Sequence, residues 1–218
     1  MSFKAALGFF ASLAITALLS TLLSTGIARA EPVRLVGFGD SLMAGYQLPA
    51  ADAFPVKLEA ALRAKGHEVE IANAGVSGDT TSGGLARLDW SIPEGTQGVI
   101  LELGANDALR GIPPDQTEKN LDAMLTRLKE RGIAVLLAGM LAPPNMGADY
   151  AERFNGIYKR LSEKHGVPLY PFFLEGVVTK ADLQLDDGMH PNTEGVDAMV
   201  RSILPAAESF LGSIKTGE

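Results

Sequence analysis

At 218 residues the chain is long enough to bury one sizeable core and does not call for a second domain. Its make-up, 46% hydrophobic and 21% charged, is that of a globular protein, and the absence of cysteine excludes disulfides, thiolate metal sites and a lipid-modified N-terminal cysteine. A net charge of −7 without any basic run argues against nucleic acid or an anionic membrane surface as partner.

Residues 1–30 stand apart. Lys4 gives a short basic start, residues 5–23 are almost wholly apolar or small, and Ala28-Arg29-Ala30 places small residues where a signal peptidase reads. The pattern predicts a secretory signal peptide cleaved before Glu31, leaving a domain at 31–218. An uncleaved anchor is the alternative, and the Ala/Ser/Thr content of the run weighs against it. Cleavage removes Lys4 and Arg29 and no acid, so the mature chain carries −9. The expectation is an exported protein, periplasmic or secreted, monomeric, with no stable membrane association after cleavage.

The mature chain opens with an apolar strand at 33–38. A helix at 53–65 follows, with Phe54, Leu58 and Leu62 on one face, Pro55 in its first turn and Gly66 closing it. A second short strand at 69–72 leads into a glycine-rich loop, 73–84, and a short helix at 85–90. The third strand, 98–103, is followed by a loop, 104–114. The clearest helix spans 115–131, with Leu121, Met124, Leu125 and Leu128 at helical spacing. A continuous apolar strand at 133–138 reads as covered on both faces. A helix at 150–164, a short strand at 167–170 and an irregular stretch at 171–191 come next. Asn192 or Thr193 caps a final helix that Pro205 ends or kinks. Strands alternating with helices imply parallel pairing through right-handed crossovers. The expected fold is a three-layer α/β/α sandwich on a five-stranded parallel sheet in the flavodoxin-like order 2-1-3-4-5.

Four stretches carry chemistry. Gly37-Phe38-Gly39-Asp40-Ser41-Leu42 displays a serine where the first strand ends, on the rim that open parallel sheets use for ligands. A serine hydroxyl needs a base. Of three histidines, His67 and His165 read as surface residues, whereas His190 in Asp187-Gly188-Met189-His190 has a carboxylate three residues away. Asp187 can reach Nδ1 and leave Nε2 for Ser41, which permits a triad; read alone, Asp187 is equally a turn former. The Ser41 and Gly78 amides and the Asn106 side chain are candidate oxyanion donors. Taken singly, Gly78 is a positive-φ turn and Asn106 a loop cap. Asp40, Asp79 and Asp107 read as acceptors that order loops. Met43, Leu109, Met140 and Met146 are candidates for an acyl pocket, Arg110 for a solvated or loop-bridging residue, and Trp90, Phe172 and Phe173 for core. No histidine–carboxylate cluster has metal-ligand spacing, and no phosphate-loop pattern follows the first strand, so neither metal nor cofactor is expected.

Together the four stretches resemble the SGNH (GDSL) hydrolase superfamily, over about residues 33–211. Gly39-Asp40-Ser41-Leu42 matches the nucleophile motif, Gly78 the oxyanion glycine, Asn106 the oxyanion asparagine, and Asp187 and His190 the acid and base. Ser77-Gly78-Asp79-Thr80-Thr81, Gly84-Leu85-Ala86-Arg87-Leu88 and Asn106-Asp107-Ala108-Leu109-Arg110-Gly111 are similar to the exported thioesterase, lysophospholipase and arylesterase branch. Ala105 and Ala108 depart from the glycines many members carry there. The resemblance implies a serine esterase acting on small-molecule esters and thioesters through an acyl-enzyme on Ser41. The alternatives are a carbohydrate O-acetyl esterase and a non-catalytic binding module of the same fold.

Overall fold

A computed structural model describes residues 31–214, so the expected leader at 1–30 lies outside the described residues. Five strands, β1 (Val33–Gly39), β2 (Val69–Gly75), β3 (Gly98–Glu102), β4 (Ala134–Ala138) and β5 (Leu169–Tyr170), form a parallel sheet in the order β2-β1-β3-β4-β5. This is the expected order. β3 is buried at every position, which is why it reads as a continuous apolar run.

Eight α-helices are described: α1 (Ser41–Ala44), α2 (Phe54–Ala64), α3 (Thr81–Ser91), α4 (Ala105–Leu109), α5 (Pro114–Glu130), α6 (Ala148–Asn155), α7 (Ile157–His165) and α8 (Thr193–Ser213). They cover both faces of the sheet: α2 packs on α8, and α5 packs between α3 and α7. Phe38 and Leu101 from the sheet, Leu103 just after β3, and Phe54, Leu58, Leu128 and Ile203 from the helices are all fully buried.

Several boundaries differ from the sequence reading. β2 continues to Gly75, because its pairing with β1 persists to Gly39↔Gly75. A Cβ on Gly75 would collide with the backbone of Ala44, so the glycine lets α1 lie directly on the strand. The loop after β2 is correspondingly short, and α3 begins at Thr81, capped by the Thr80 hydroxyl accepting from the Gly83 amide (3.4 Å). The inward stripe of α3 is Thr81, Gly84, Arg87 and Leu88. Trp90 lies off that stripe and is 75% exposed, so it is not core. The single helix expected at 150–164 is two, interrupted at Gly156. Pro205 does not end α8, which runs on to Ser213. The proline removes the bond to the Arg201 carbonyl, but both residues are exposed, so water can satisfy that group while Val200, Ile203, Ala207 and Phe210 stay buried.

Arg87 ties the first two strands to the loop between β2 and α3. Its guanidinium lies 4.0 Å from the Phe38 ring centroid. It donates to the Gly39 carbonyl (2.8 Å), the Ala74 carbonyl (2.8 Å) and the Asp79 carboxylate (2.6 Å). The pair is nearly buried, with side-chain exposures of 7% and 15%. Removing one partner would strand the other charge. Arg87→Ala is expected to cost about 3–5 kcal/mol, read as a lower urea midpoint; an unchanged midpoint would mean that Asp79 finds adequate solvation without it.

Candidate active site

β1 passes directly into α1, and Asp40 is the hinge. Its Oδ1 accepts from the Leu42 amide (3.0 Å) as the N-cap of α1. Ser41 is thereby the first residue of a four-residue helix, with its side chain at the rim of the sheet. Across the rim, His190 Nε2 lies 2.9 Å from Ser41 Oγ, and His190 Nδ1 lies 2.6 Å from Asp187 Oδ2. The second Asp187 oxygen, Oδ1, accepts from the His190 amide (3.0 Å) and the Met189 amide (2.9 Å). The two readings of Asp187 are therefore one: it forms the turn and holds the imidazole. Those bonds, led by the His190 amide and opposed by desolvation, lower its carboxyl to about 2, so it is ionised throughout any working range.

The Ser41 and Gly78 amides make no hydrogen bond to another described residue. Gly78 adopts φ +83°, a left-handed conformation that favours glycine. Its carbonyl accepts from Arg110 (2.8 Å), which bridges the two loops as expected. Asn106 sits in the first turn of α4, and both hydrogens of its amide are engaged. One goes to Asp40 Oδ2 (3.0 Å), the other to the Asp79 carbonyl (2.9 Å). Asp107, fully buried, accepts from the Thr81 amide (2.8 Å) and from the Thr81 and Thr117 hydroxyls. It fixes α3 against α4 and α5.

Ser41, Gly78, Asn106 and His190 open into a cavity of about 930 Å³. Leu109 and Met140 line it. Met146 does not: a 3-10 turn, Pro144–Met146, carries it toward Gly111 instead. Met43 is fully buried beneath β1, near Gly37. Phe172, read as core, is a wall of the cavity, whereas Phe173 is core. The sequence reading missed Tyr46, Leu141, Leu174 and Val178, which also line the cavity. All sit in irregular segments, where no periodicity marks a face. His67 pairs with Glu208 and His165 with Asp122, both away from the cavity. His165 is not a surface residue, since its side chain is only 8% exposed. Among the described residues no group of His, Asp and Glu side chains is arranged to hold a metal ion.

The family model of the GDSL-like lipase/acylhydrolases matches residues 38–198, which span every one of these groups. The chain belongs to that family. The arylesterase of Vibrio mimicus is 44% identical over 162 residues, covering 74% of this chain and 81% of that protein. The thioesterase 1/protease 1/lysophospholipase L1 of Escherichia coli strain K12 is 39% identical over 176 residues, 78% of this chain and 83% of that one. The crystal structure of AlinE4, an SGNH-hydrolase family esterase, superposes with a TM-score of 0.71 at 44% identity, over 84% of this chain and 99% of that one.

Beneath the turn that carries Ser41, this GDSL acylhydrolase buries two carboxyl groups together. Glu102, at the end of β3, accepts from the Asp40 amide through Oε2 (3.2 Å), while its Oε1 has no hydrogen-bond partner among the described residues. Burial, and then the charge of Asp40, push the Glu102 carboxyl well above its ordinary value of 4.5. Burial also raises Asp40, to about 6, against the opposing bonds from Leu42 and Asn106. A carboxyl raised in the fold keeps its proton after the unfolded chain has released it. The stability it contributes is present below pH 4.5 and is lost as pH rises toward its folded value. Glu102→Gln, which imitates the neutral acid, is expected to flatten the fall of Tm with pH measured from pH 5 to 8. A slope equal to wild type would show that the fold does not hold a proton on Glu102 that the unfolded chain has released.

Proposed function

We propose that the protein is an exported serine esterase that hydrolyses carboxylic esters with apolar acyl chains, and acyl thioesters, through an acyl-enzyme on Ser41. The single observation that carries this reading is the continuous Asp187–His190–Ser41 hydrogen-bonded chain opening onto an apolar cavity. Ser41 Oγ attacks the acyl carbonyl and His190 Nε2 takes its proton. Asp187 holds the ring and balances the imidazolium. His190 then protonates the leaving alcohol or thiol, and water, activated the same way, releases the acid. The Ser41 and Gly78 amides and Asn106 hold the oxyanion. Asn106 joins as charge develops, because a charged oxygen is a stronger acceptor than the neutral Asp79 carbonyl it would give up.

Beyond the reacting groups the walls are mainly apolar, Leu109, Met140, Leu141, Phe172, Leu174 and Val178 among them, with Thr179 and Gln184 among the polar exceptions. They match an acyl chain and offer little to an acetylated sugar. The volume falls within the range of small-molecule sites. The names of the Vibrio and Escherichia relatives support aryl esters, thioesters and lysophospholipids as the substrate range. We assign residues 1–30 to an export signal and 31–218 to a hydrolase acting in the periplasm or medium as a monomer. Among the described residues no helix is long and apolar enough to cross a membrane.

The test is turnover of p-nitrophenyl esters and acyl thioesters of two to sixteen carbons. Each added methylene is expected to raise kcat/KM by up to roughly fourfold until the cavity fills. Ser41→Ala and His190→Ala should each remove several orders of magnitude of kcat, and the double variant little more; additive losses would break the triad. An acetyl optimum would instead favour the carbohydrate esterase. Asn106→Ala is expected to lose on the order of 100- to 1,000-fold in kcat, measured on the best ester. Turnover near wild type would take Asn106 out of the oxyanion site.

A further inference from the structure

His190 is held in its plane at both ring nitrogens, by Asp187 at Nδ1 and Ser41 at Nε2. Neither bond stops the imidazole from rocking about the line between them. One face of the ring is covered by Tyr46, whose ring centroid lies 4.4 Å from that of His190 with the planes tilted by 36°. Tyr46 is not carried by a distant loop. It follows α1 by two residues, and its amide donates to the Ser41 carbonyl (3.2 Å). The nucleophile and the ring that faces its base are thus on one backbone turn.

That turn is closed tightly. The Gly45 amide also donates to the Ser41 carbonyl (3.2 Å), and Leu48 donates to the Gly45 carbonyl (3.0 Å). Gln47 is held at φ +58°, a left-handed conformation unusual for a residue with a Cβ. Its side-chain amide donates to the Tyr46 hydroxyl (3.1 Å). Tyr46 itself is 37% exposed, more than a ring serving only to fill the core would be.

We infer that Tyr46 is a positioning residue for His190, its ring face fixing the imidazole between Ser41 and Asp187 and stabilising the cation formed when Ser41 gives up its proton. The negative face of an aromatic ring attracts a cation within about 6 Å of its centroid, and here that cation exists only after proton transfer. Asp187 meets the imidazolium at its edge and Tyr46 lies against its face at a 36° tilt, so the two do not compete. The contact is stronger in the transition state than in the ground state, which places its effect in kcat. This inference rests on the esterase reading.

The test compares Tyr46→Phe with Tyr46→Leu on p-nitrophenyl acetate, an acyl group too short to need the apolar walls. Both variants lose the phenol oxygen and the Gln47 bond, and both keep an apolar side chain; only phenylalanine keeps the ring face. Tyr46→Leu is expected to lower kcat roughly 3- to 30-fold with KM little changed, and Tyr46→Phe to recover most of that loss. Tyr46→Met, unbranched and flexible, is read the same way if the leucine variant does not melt cooperatively. Equal kcat for the phenylalanine and leucine variants, or a loss confined to KM, would make Tyr46 only a wall of the cavity. Ser41→Ala, assayed alongside, separates the two readings. If it keeps wild-type turnover, the esterase reading falls and this inference with it. If turnover is Ser41-dependent while phenylalanine and leucine agree, only the role of Tyr46 falls.

Discussion

The site depends on the buried carboxylate of Asp40. One oxygen caps α1 through the Leu42 amide, the other receives Asn106 from the loop after β3, and its own amide is held by Glu102. Three segments that share only a rim are thereby set relative to one another: the turn that carries Ser41, the end of β3 and α4. A fully buried carboxylate is tolerated only when hydrogen-bonded. Each bond that satisfies Asp40 also orients a group next to the reacting atoms, so satisfying the charge and aligning the site are the same arrangement.

Two further buried polar clusters brace this hub from either side. Arg87 reaches the Gly39 carbonyl at the end of β1 and the Asp79 carboxylate in the loop that carries Gly78. Asp107 gathers Thr81 and Thr117 and holds α3 and α5 around α4. None of these groups touches the Ser41 hydroxyl. Their burial makes them costly to disrupt, and that cost keeps the loops of the site in one arrangement. Glu102 differs, since it is placed against a second carboxyl rather than a cation, and the arrangement holds best while Glu102 keeps its proton.

The cavity is built in another way. Apart from Leu109 on α4, its apolar walls come mainly from segments without regular periodicity: the Pro143-Pro144 loop, the stretch around Leu174 and Val178, and the turn bearing Met189. Ser41 and Asn106 sit on helices that follow strands, and Asp187 and His190 on the turn bearing Met189, whereas the Pro143-Pro144 loop and the stretch around Leu174 and Val178 shape the cavity without supplying any of these four groups. Substrate range can therefore vary within such a fold without moving Ser41, Asp187 or His190.

The sequence by itself determined the sheet order, the faces of the longer helices and the set of candidate site residues that the fold brings to one rim. Apolar runs at strand length, stripes such as Leu121, Met124, Leu125 and Leu128, and short motifs at the strand ends are local signals, and parallel topology brings strand ends to one rim. Only the tertiary structure decided what depends on partners distant in the chain. β2 continues through Asn73 and Gly75, poor strand formers, because β1 pairs with them and α1 lies on Gly75. α8 continues through Pro205 because buried residues on both sides hold it. Trp90 is exposed because α3 starts four residues earlier than its apolar pattern alone implies, which turns a different stripe inward. Tyr46, Phe172 and Met146 owe their places to loop paths that no periodicity encodes. The contact of Tyr46 with His190 joins residues 144 positions apart in sequence, and it exists only because the folded sheet carries both ends to the same edge.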